Sequence, residues 1–269
     1  MIPRLTPPVQ DKNFDTLTSK FAKNIYGTPK GKIRAAVLWR DLTCHIESLC
    51  KVKKTKKLRI LDAGGGFGFI SQQLAALGHH VTLCDISAEM LAEAESQIAN
   101  KQPAIDMRLI HCSIQDLSQH VTGKFDLILC HAVAEWLSDA EGTLTQLLTL
   151  LDDDGLFSLM FFNKEAMRFH ALISGNFDYV AADFNIKKKV RLTPTHPLFI
   201  HEVRAWFQQW QLSLVCQSGV RVINDYLKHS LPASASFEQV LAMELAYCQQ
   251  EPYLSLGRYV HFIGHKPRT

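Results

Sequence analysis

The 269-residue sequence predicts an α/β protein built on a doubly wound, mostly parallel sheet. Three observations carry that expectation. Short apolar segments at 58–63, 80–85, 107–112, 125–131 and 156–163 alternate with stretches of helical periodicity. The first, in LRILDAGGGFG (58–68), runs straight into Gly64, Gly65, Gly66 and Gly68, and helical spacing resumes from Phe69 to Leu77. An apolar run closed by glycines reads as a buried parallel strand turning sharply into a helix, because residues without a Cβ let the backbone turn and approach a ligand. The second segment, HVTLCD (80–85), ends in an acid, Asp85, 23 residues beyond Asp62.

Hydrophobic residues make up 47% of the chain, enough for a sizeable core, and a net charge of +3 leaves any nucleic-acid contact to local basic clusters. No apolar stretch approaches the roughly 20 residues of a membrane span. The start, MIPRLTPPV, is proline-rich rather than signal-like, so residues 1–11 are expected to be a loose tail and the chain cytoplasmic. The seven cysteines include no CxxC pair. Cys84, Cys112 and Cys130 fall in strand segments, where a reduced, buried thiol is expected. No His/Cys cluster has zinc spacing, so no metal is expected.

Ahead of the sheet, residues 12–57 are expected to form a helical cap. From Lys32 to Cys50, the residues Ile33, Val37, Trp39, Leu42, Ile46 and Leu49 make an apolar stripe, with Arg34 near the helix start. The run Lys51, Lys53, Lys54, Lys56, Lys57 and Arg59 reads as a solvated linker. Beyond the second strand come a helix at 87–99, a strand at 107–112, and SIQD, in which Asp116 is expected to cap a short helix. FDLILCH (125–131), a helix at 141–151, a DDDG turn (152–155) and LFSLMFFN (156–163) follow. Residues 164–197 are extra to a minimal fold. They carry Lys187, Lys188, Lys189 and Arg191 shortly after Phe177 and Tyr179. Basic groups beside aromatics suit phosphates and bases; a solvated loop is the alternative. HEVRAWFQQW (201–210) reads as a helix, LSLVCQSGVRVI (212–223) as a sixth strand bent at Gly219, and SFEQVLAMELAYCQQ (236–250) as a helix. RYVHFIGHK (258–266) reads as a final edge strand. With no internal repeat and no domain linker, residues 1–269 are expected to form one domain.

The glycine loop fails the dinucleotide fingerprint GxGxxG, because Phe69 stands at its last position. What it has is an acid two residues before GxGxG: Asp62, Gly64, Gly66 and Gly68. That pattern resembles the first motif of the Rossmann-like methyltransferases that use S-adenosylmethionine (SAM). A tight turn that binds nothing is the bland alternative. An acid at the end of strand two, Asp85, is placed to accept ribose hydroxyls, or to cap the helix that begins at Ser87. The resemblance implies a seven-stranded sheet with the last strand antiparallel and helices on both faces. It also places adenine against Ile114 and Gln115. His131, at the end of strand four, then faces the methionine end of the ligand, either as a participant or as a neutral, hydrogen-bonded histidine.

Eight segments make the likeness closer. NIYGTPKGKIRAAVLWRDL (24–42), RILDAGGGFG (59–68), LCDISAEM (83–90), IHCSIQD (110–116), LILCHAVAEW (127–136), GNFDYV (175–180), GVRVINDYL (219–227) and QEPYLSLGRYVH (250–261) together resemble the bacterial tRNA 5-carboxymethoxyuridine methyltransferases. The likeness runs from about Gln10 to Pro267, and the first and last blocks are its specific part. It implies methyl transfer from SAM to the carboxylate of 5-carboxymethoxyuridine at the tRNA wobble position. The cofactor residues it carries over are Arg34, Gly64, Gly65, Asp85, Ile114, Gln115 and His131. Phe67 inside the loop and DDDG in place of a proline–glycine turn are its departures. No Asn/Asp-Pro-Pro-Tyr follows strand four and no Pro-Cys pair exists, which disfavours methylation of an exocyclic amine or of a ring carbon. An acceptor that is already ionised needs no general base, so no catalytic residue is expected. Arg221 and Arg258 are the candidates for meeting the acceptor anion, with Lys187, Lys188, Lys189 and Arg191 for RNA phosphates. The competing readings are a small-molecule O-methyltransferase, with residues 164–197 as an apolar lid, and a non-catalytic SAM-binding protein.

Overall fold

A computed structural model describes residues 27–184, 194–227 and 236–268. The expected tail at 1–11, the start of the 12–57 cap and the basic cluster at 187–191 lie outside the described residues. The chain order is α1 (Pro29–Lys53), β1 (Arg59–Ala63), α2 (Phe69–Ala76), β2 (His80–Asp85), α3 (Ala88–Ala99), β3 (Met107–His111), β4 (Phe125–His131), α4 (Ala140–Leu148) and β5 (Leu151–Phe162). It continues with α5 (Lys164–Ile173), α6 (Phe177–Ala181), α7 (Ile200–Gln209), β6 (Ser213–Val220), α8 (Phe237–Tyr247) and β7 (Tyr259–His265).

Among the described residues the strands form one sheet in the order β3-β2-β1-β4-β5-β7-β6. β1 to β5 are mutually parallel, and β7 runs antiparallel to both β5 and β6. The expected antiparallel last strand is present, but it is not at the edge. β7 is buried along almost its whole length and lies between β5 and β6, leaving the more exposed β6 outside. Its apolar run on both faces is that of an interior strand.

Each face of the sheet carries a core. On one face Leu144 and Leu147 of α4 and Val203 and Phe207 of α7 pack against Ile128, Phe157, Leu159 and Phe262. On the other, the α1 stripe of Ile33, Val37, Leu42, Ile46 and Leu49 meets Ile60, Leu127, Leu129, Met160 and Ile263. Thr28 caps α1 by accepting from the Gly31 amide (3.2 Å), and Pro29 stands where its missing N–H is not needed. Among the described residues no helix is long and apolar enough to cross a membrane.

Four local expectations need correction. DDDG is not a turn between helix and strand. It lies within β5, which starts at Leu151; the pairing with β4 jumps from Phe125↔Leu151 to Leu127↔Leu156, with Asp154 in the left-handed region at φ 58°. Lys53 is not solvated: its ammonium contacts Asp152 (2.7 Å) and Asp126 (3.4 Å) and closes α1 onto the sheet. Gly219 marks no bend; a Cβ there would sit 2.6 Å from the Leu254 carbonyl, so its bareness admits a neighbouring turn. Asp116 makes no side-chain cap and accepts instead from the Ser113 hydroxyl (2.7 Å).

Candidate active site

The carboxyl ends of the parallel strands gather their loops along one edge. The strand order reverses between β1 and β4, which leaves a crevice there for a ligand. The loop after β1 forms the crevice's first wall. Gly64 and Gly65 donate to the Cys84 carbonyl at 2.9 and 3.2 Å. The Gly66 amide donates to one Asp85 oxygen and the Ser87 amide to the other, both at 2.8 Å. Asp85 therefore braces the glycine loop, and the cap of α3 is Ser87, which accepts from the Met90 amide. Beneath the loop lies Asp62, bonded to the Ser71 hydroxyl (2.6 Å). Burial and the nearby Asp85 charge push the Asp62 carboxyl up to about 7, against the Ser71 bond. A Cβ on Gly65 would meet Asp62 Oδ2 at 2.4 Å, and one on Gly64 would meet Val133 at 2.7 Å.

On the next wall, the Gln115 side-chain amide donates to the Thr143 hydroxyl (3.2 Å) and the Gln115 backbone carbonyl accepts from the Gln146 side chain (3.1 Å). Ile114 packs against the core on the same turn. At the tip of β4, His131 Nε2 lies 2.8 Å from the Ser158 hydroxyl. Burial, with the Arg34 charge nearby, drives the His131 imidazole well below its ordinary value, so the ring is neutral. Nδ1 makes no hydrogen bond to any described residue.

The far wall is cationic. Arg34 of α1 lies over the Tyr259 ring, 4.5 Å from its centroid, and Arg221 lies 5.4 Å from the same ring. Arg258 lies over Phe162 at 4.9 Å. Asp225 ties this wall together: it pairs with Arg221 at 3.0 Å, Lys30 at 3.7 Å and Arg258 at 3.9 Å. Close by, Glu135 is wholly buried, and burial pushes its carboxyl up to about 7 in spite of the nearby backbone amides of Glu135 and Phe162 and the charge of Arg34. Among the described residues the buried side-chain nitrogens and oxygens without a hydrogen-bond partner are Arg34 Nε, Arg221 Nε, Arg258 Nη1 and both Glu135 oxygens. Native proteins leave few such atoms, and those they leave call for an explanation. Here they gather at one end of one crevice.

A family model described as a methyltransferase domain matches residues 54–212. The chain belongs to this methyltransferase family. It is 41% identical to the tRNA 5-carboxymethoxyuridine methyltransferase of Escherichia coli (strain K12) over 261 residues, covering 97% of this chain and 98% of that one. It is 28% identical to the ubiquinone biosynthesis O-methyltransferase of Xanthomonas oryzae pv. oryzae (strain PXO99A), over 60% of this chain and 65% of that one. Among solved structures, it resembles the magnesium protoporphyrin IX methyltransferase of Synechocystis PCC 6803 with bound SAH at a TM-score of 0.60 and 15% identity, covering 94% of this chain and 96% of that one. That likeness is one of fold: a seven-stranded Rossmann-like sheet whose last strand is antiparallel.

In this methyltransferase the structure brings Arg34, Gly64, Gly65, Asp85, Ile114, Gln115 and His131 to the strand tips, and Arg221 and Arg258 to the same edge. Lys187, Lys188, Lys189 and Arg191 lie outside the described residues. Among the described residues no group of three or more His, Cys, Asp or Glu side chains is arranged to hold a metal. Sequence reasoning did not single out Glu135, Ser158, Asp225, Tyr259 or His261. Ser158 and His261 carried a faint signal, since each is a polar residue inside a strand that is otherwise buried.

Proposed function

We propose that this methyltransferase esterifies the carboxylate of 5-carboxymethoxyuridine at the wobble position of tRNA, using SAM, in the cytoplasm. The observation that carries the reading is the gathering of unpartnered arginine N–H groups on one wall of the crevice. Such donors suit carboxylates. The near full-length likeness to the Escherichia coli enzyme supports the same acceptor.

The residues present fit SAM. Arg34 Nε is a buried donor without a partner, and Asp85 stands at the end of β2 beside the glycine loop. Arg34 would meet the ligand carboxylate, Asp85 the ribose, the Ile114–Gln115 turn the adenine, and His131 the methionine end. SAM supplies an electrophilic methyl group on a sulfonium cation. The protein's part is placement. A carboxylate with an ordinary pKa near ~4 is already a nucleophile at neutral pH, so no proton has to leave the acceptor. Arg221 and Arg258 hold it in line while the dry wall of Tyr259 and Phe162 excludes water. Neutral His131 serves as a hydrogen-bonding wall rather than a base.

Residues 164–197 serve the same single domain as a substrate-binding insertion. Phe169, Leu172, Ile173 and Phe177 of α5 and α6 are exposed, and Phe169 meets Tyr226 edge-on at 5.3 Å, next to Asp225. Exposed rings beside cations suit unstacked bases, with Lys187, Lys188, Lys189 and Arg191 for phosphates. The same apolar patch would also suit a lid over a small hydrophobic acceptor. Incubation with labelled SAM and tRNA bearing 5-carboxymethoxyuridine separates the two. The expected product is a base-labile methyl ester on the wobble nucleoside, identified by mass spectrometry. Label on small phenols and none on tRNA would overturn the reading.

A further inference from the structure

Behind His131 a row of hydrogen-bonded side chains crosses the sheet to α1. His131 Nε2 and Ser158 Oγ are 2.8 Å apart, Ser158 Oγ and His261 Nε2 2.7 Å, and His261 Nδ1 and Asp41 Oδ2 2.9 Å. Asp41 Oδ1 accepts from Arg40 Nε (3.0 Å) and Gln249 Nε2 (3.3 Å). Ser158 and His261 are 0% exposed and Asp41 2%. Well-packed apolar side chains would fill that volume at least as stably. The row does something they cannot: it has a direction.

The direction follows from counting protons. Burial raises the Asp41 carboxyl, but the hydrogen bonds from His261 and Arg40, together with the Arg40 charge, outweigh it and bring the group down to about 2. An ionised carboxylate only accepts, so His261 Nδ1 carries a hydrogen. Arg40 already balances the Asp41 charge, and a neutral His261 keeps the buried cluster uncharged. His261 Nε2 is then an acceptor and takes the one proton of Ser158. The Ser158 oxygen is left to accept, so His131 donates from Nε2 and its Nδ1 keeps a lone pair.

We propose that Ser158, His261 and Asp41 are positioning residues that hold His131 in its Nε2–H tautomer, so that Nδ1 accepts from the α-ammonium group of SAM. The proposal rests on the placement of the methionine end of SAM at His131. Asp41 acts through two intervening side chains and touches no ligand itself. The opposite tautomer would turn an N–H toward a cation.

The test is nitrogen-15 NMR of the histidine side chains in the full-length protein, with the His131 signals assigned by their loss in His131→Gln. The wild type should show protonated Nε2 and unprotonated Nδ1 before any ligand is added. Asp41→Asn should reverse the row. Arg40 keeps the oxygen of the introduced amide on its own side, the amide N–H faces His261 Nδ1, each later bond flips, and His131 becomes Nδ1–H. Every hydrogen bond of the row survives that reversal, and SAM affinity by calorimetry should fall by roughly tenfold or more. Ser158→Ala should leave His131 a mixture of tautomers. An Nδ1–H tautomer in the wild type overturns the proposal without need of any variant. So does a folded Asp41→Asn protein with an unchanged His131. If the tautomers are as expected but bound S-adenosylhomocysteine leaves the Nδ1 signal unmoved, the placement at His131 fails and the row stands.

Discussion

The glycine-loop wall and the arginine wall of this crevice treat their polar groups in opposite ways. On the first, Gly64 and Gly65 bond to Cys84, Gly66 to Asp85, and Asp62 to Ser71, so the protein completes its own network. On the second, one buried nitrogen each of Arg34, Arg221 and Arg258 and both oxygens of Glu135 are unused. A satisfied network is rigid and sets a shape before any ligand arrives. An unsatisfied one burdens the folded protein and is relieved when a complementary ligand binds. The first wall is therefore built for shape and the second for charge. The glycine loop of the first wall lies within residues 54–212, which the methyltransferase family model matches, whereas Arg34, Arg221 and Arg258 of the second lie outside that span.

Breaking the shape should have the largest effect. Gly65→Ala puts a methyl 2.4 Å from the buried Asp62 carboxyl. It should weaken SAM on the order of 100-fold by calorimetry, the scale of overpacking a tight site. Binding within a factor of three of wild type would mean that the loop yields and the wall is not rigid. Asp85→Ala, which frees the Gly66 and Ser87 amides and removes the expected ribose acceptor, should weaken SAM at least ~10-fold and lower Tm. Asp116→Ala, which loses only Ser113, should leave SAM affinity unchanged.

On the charged wall the effects should fall on the acceptor. Arg221→Gln should lower kcat/KM for tRNA by roughly 10- to 100-fold, the value of a hydrogen bond to a charged group, with SAM affinity within twofold. An equal loss of SAM affinity would merge the two walls into one cofactor site. Arg258→Gln, farther from Asp225, should do the same to a smaller degree.

The smallest effect carries an unusual sign. The Glu135 carboxyl is raised by burial from its ordinary 4.5 to about 7. A group harder to ionise when folded stabilises fully below its unfolded pKa and loses that contribution as pH rises through the folded one. Glu135→Gln should therefore stabilise the ligand-free protein by roughly 2 kcal/mol above pH ~7.5 and change little near pH ~4. Asp41 has the reverse dependence: it is held at about 2, so its contribution is present above 3.8 and lost as pH falls through about 2. No stabilisation of Glu135→Gln at high pH would show that Glu135 is satisfied after all.

The first wall was legible because its causes are local. An apolar run, four glycines and an acid specify a strand, a turn and a helix start within eleven residues, and Asp85 announces the end of β2. Sheet order is not local. Nothing in RYVHFIGH says that it enters between β5 and β6, and the read of an edge strand failed for that reason. The DDDG turn failed because aspartates and glycine suit an excursion within a strand as well as a reverse turn. Arg221 and Arg258 were expected at the acceptor, but the carboxylate that gathers them, Asp225, looks in sequence like any loop aspartate. The row from His131 to Asp41 joins α1 to three strands, and His261 lies 220 positions from its partner, a pairing that only the fold reveals.

One measurement bears on both walls at once: single-turnover methyl transfer, from about pH 6 to 9, to the same tRNA carrying either 5-carboxymethoxyuridine or 5-hydroxyuridine at the wobble position. If the second wall is built for an ionised carboxylate, only the first tRNA is methylated, and its rate stays nearly flat across the range because no base has to titrate. Comparable transfer to the hydroxyl, rising about tenfold through a pKa near ~6.5 and lost in His131→Gln with SAM affinity retained, would contradict it, since that pattern requires a histidine base.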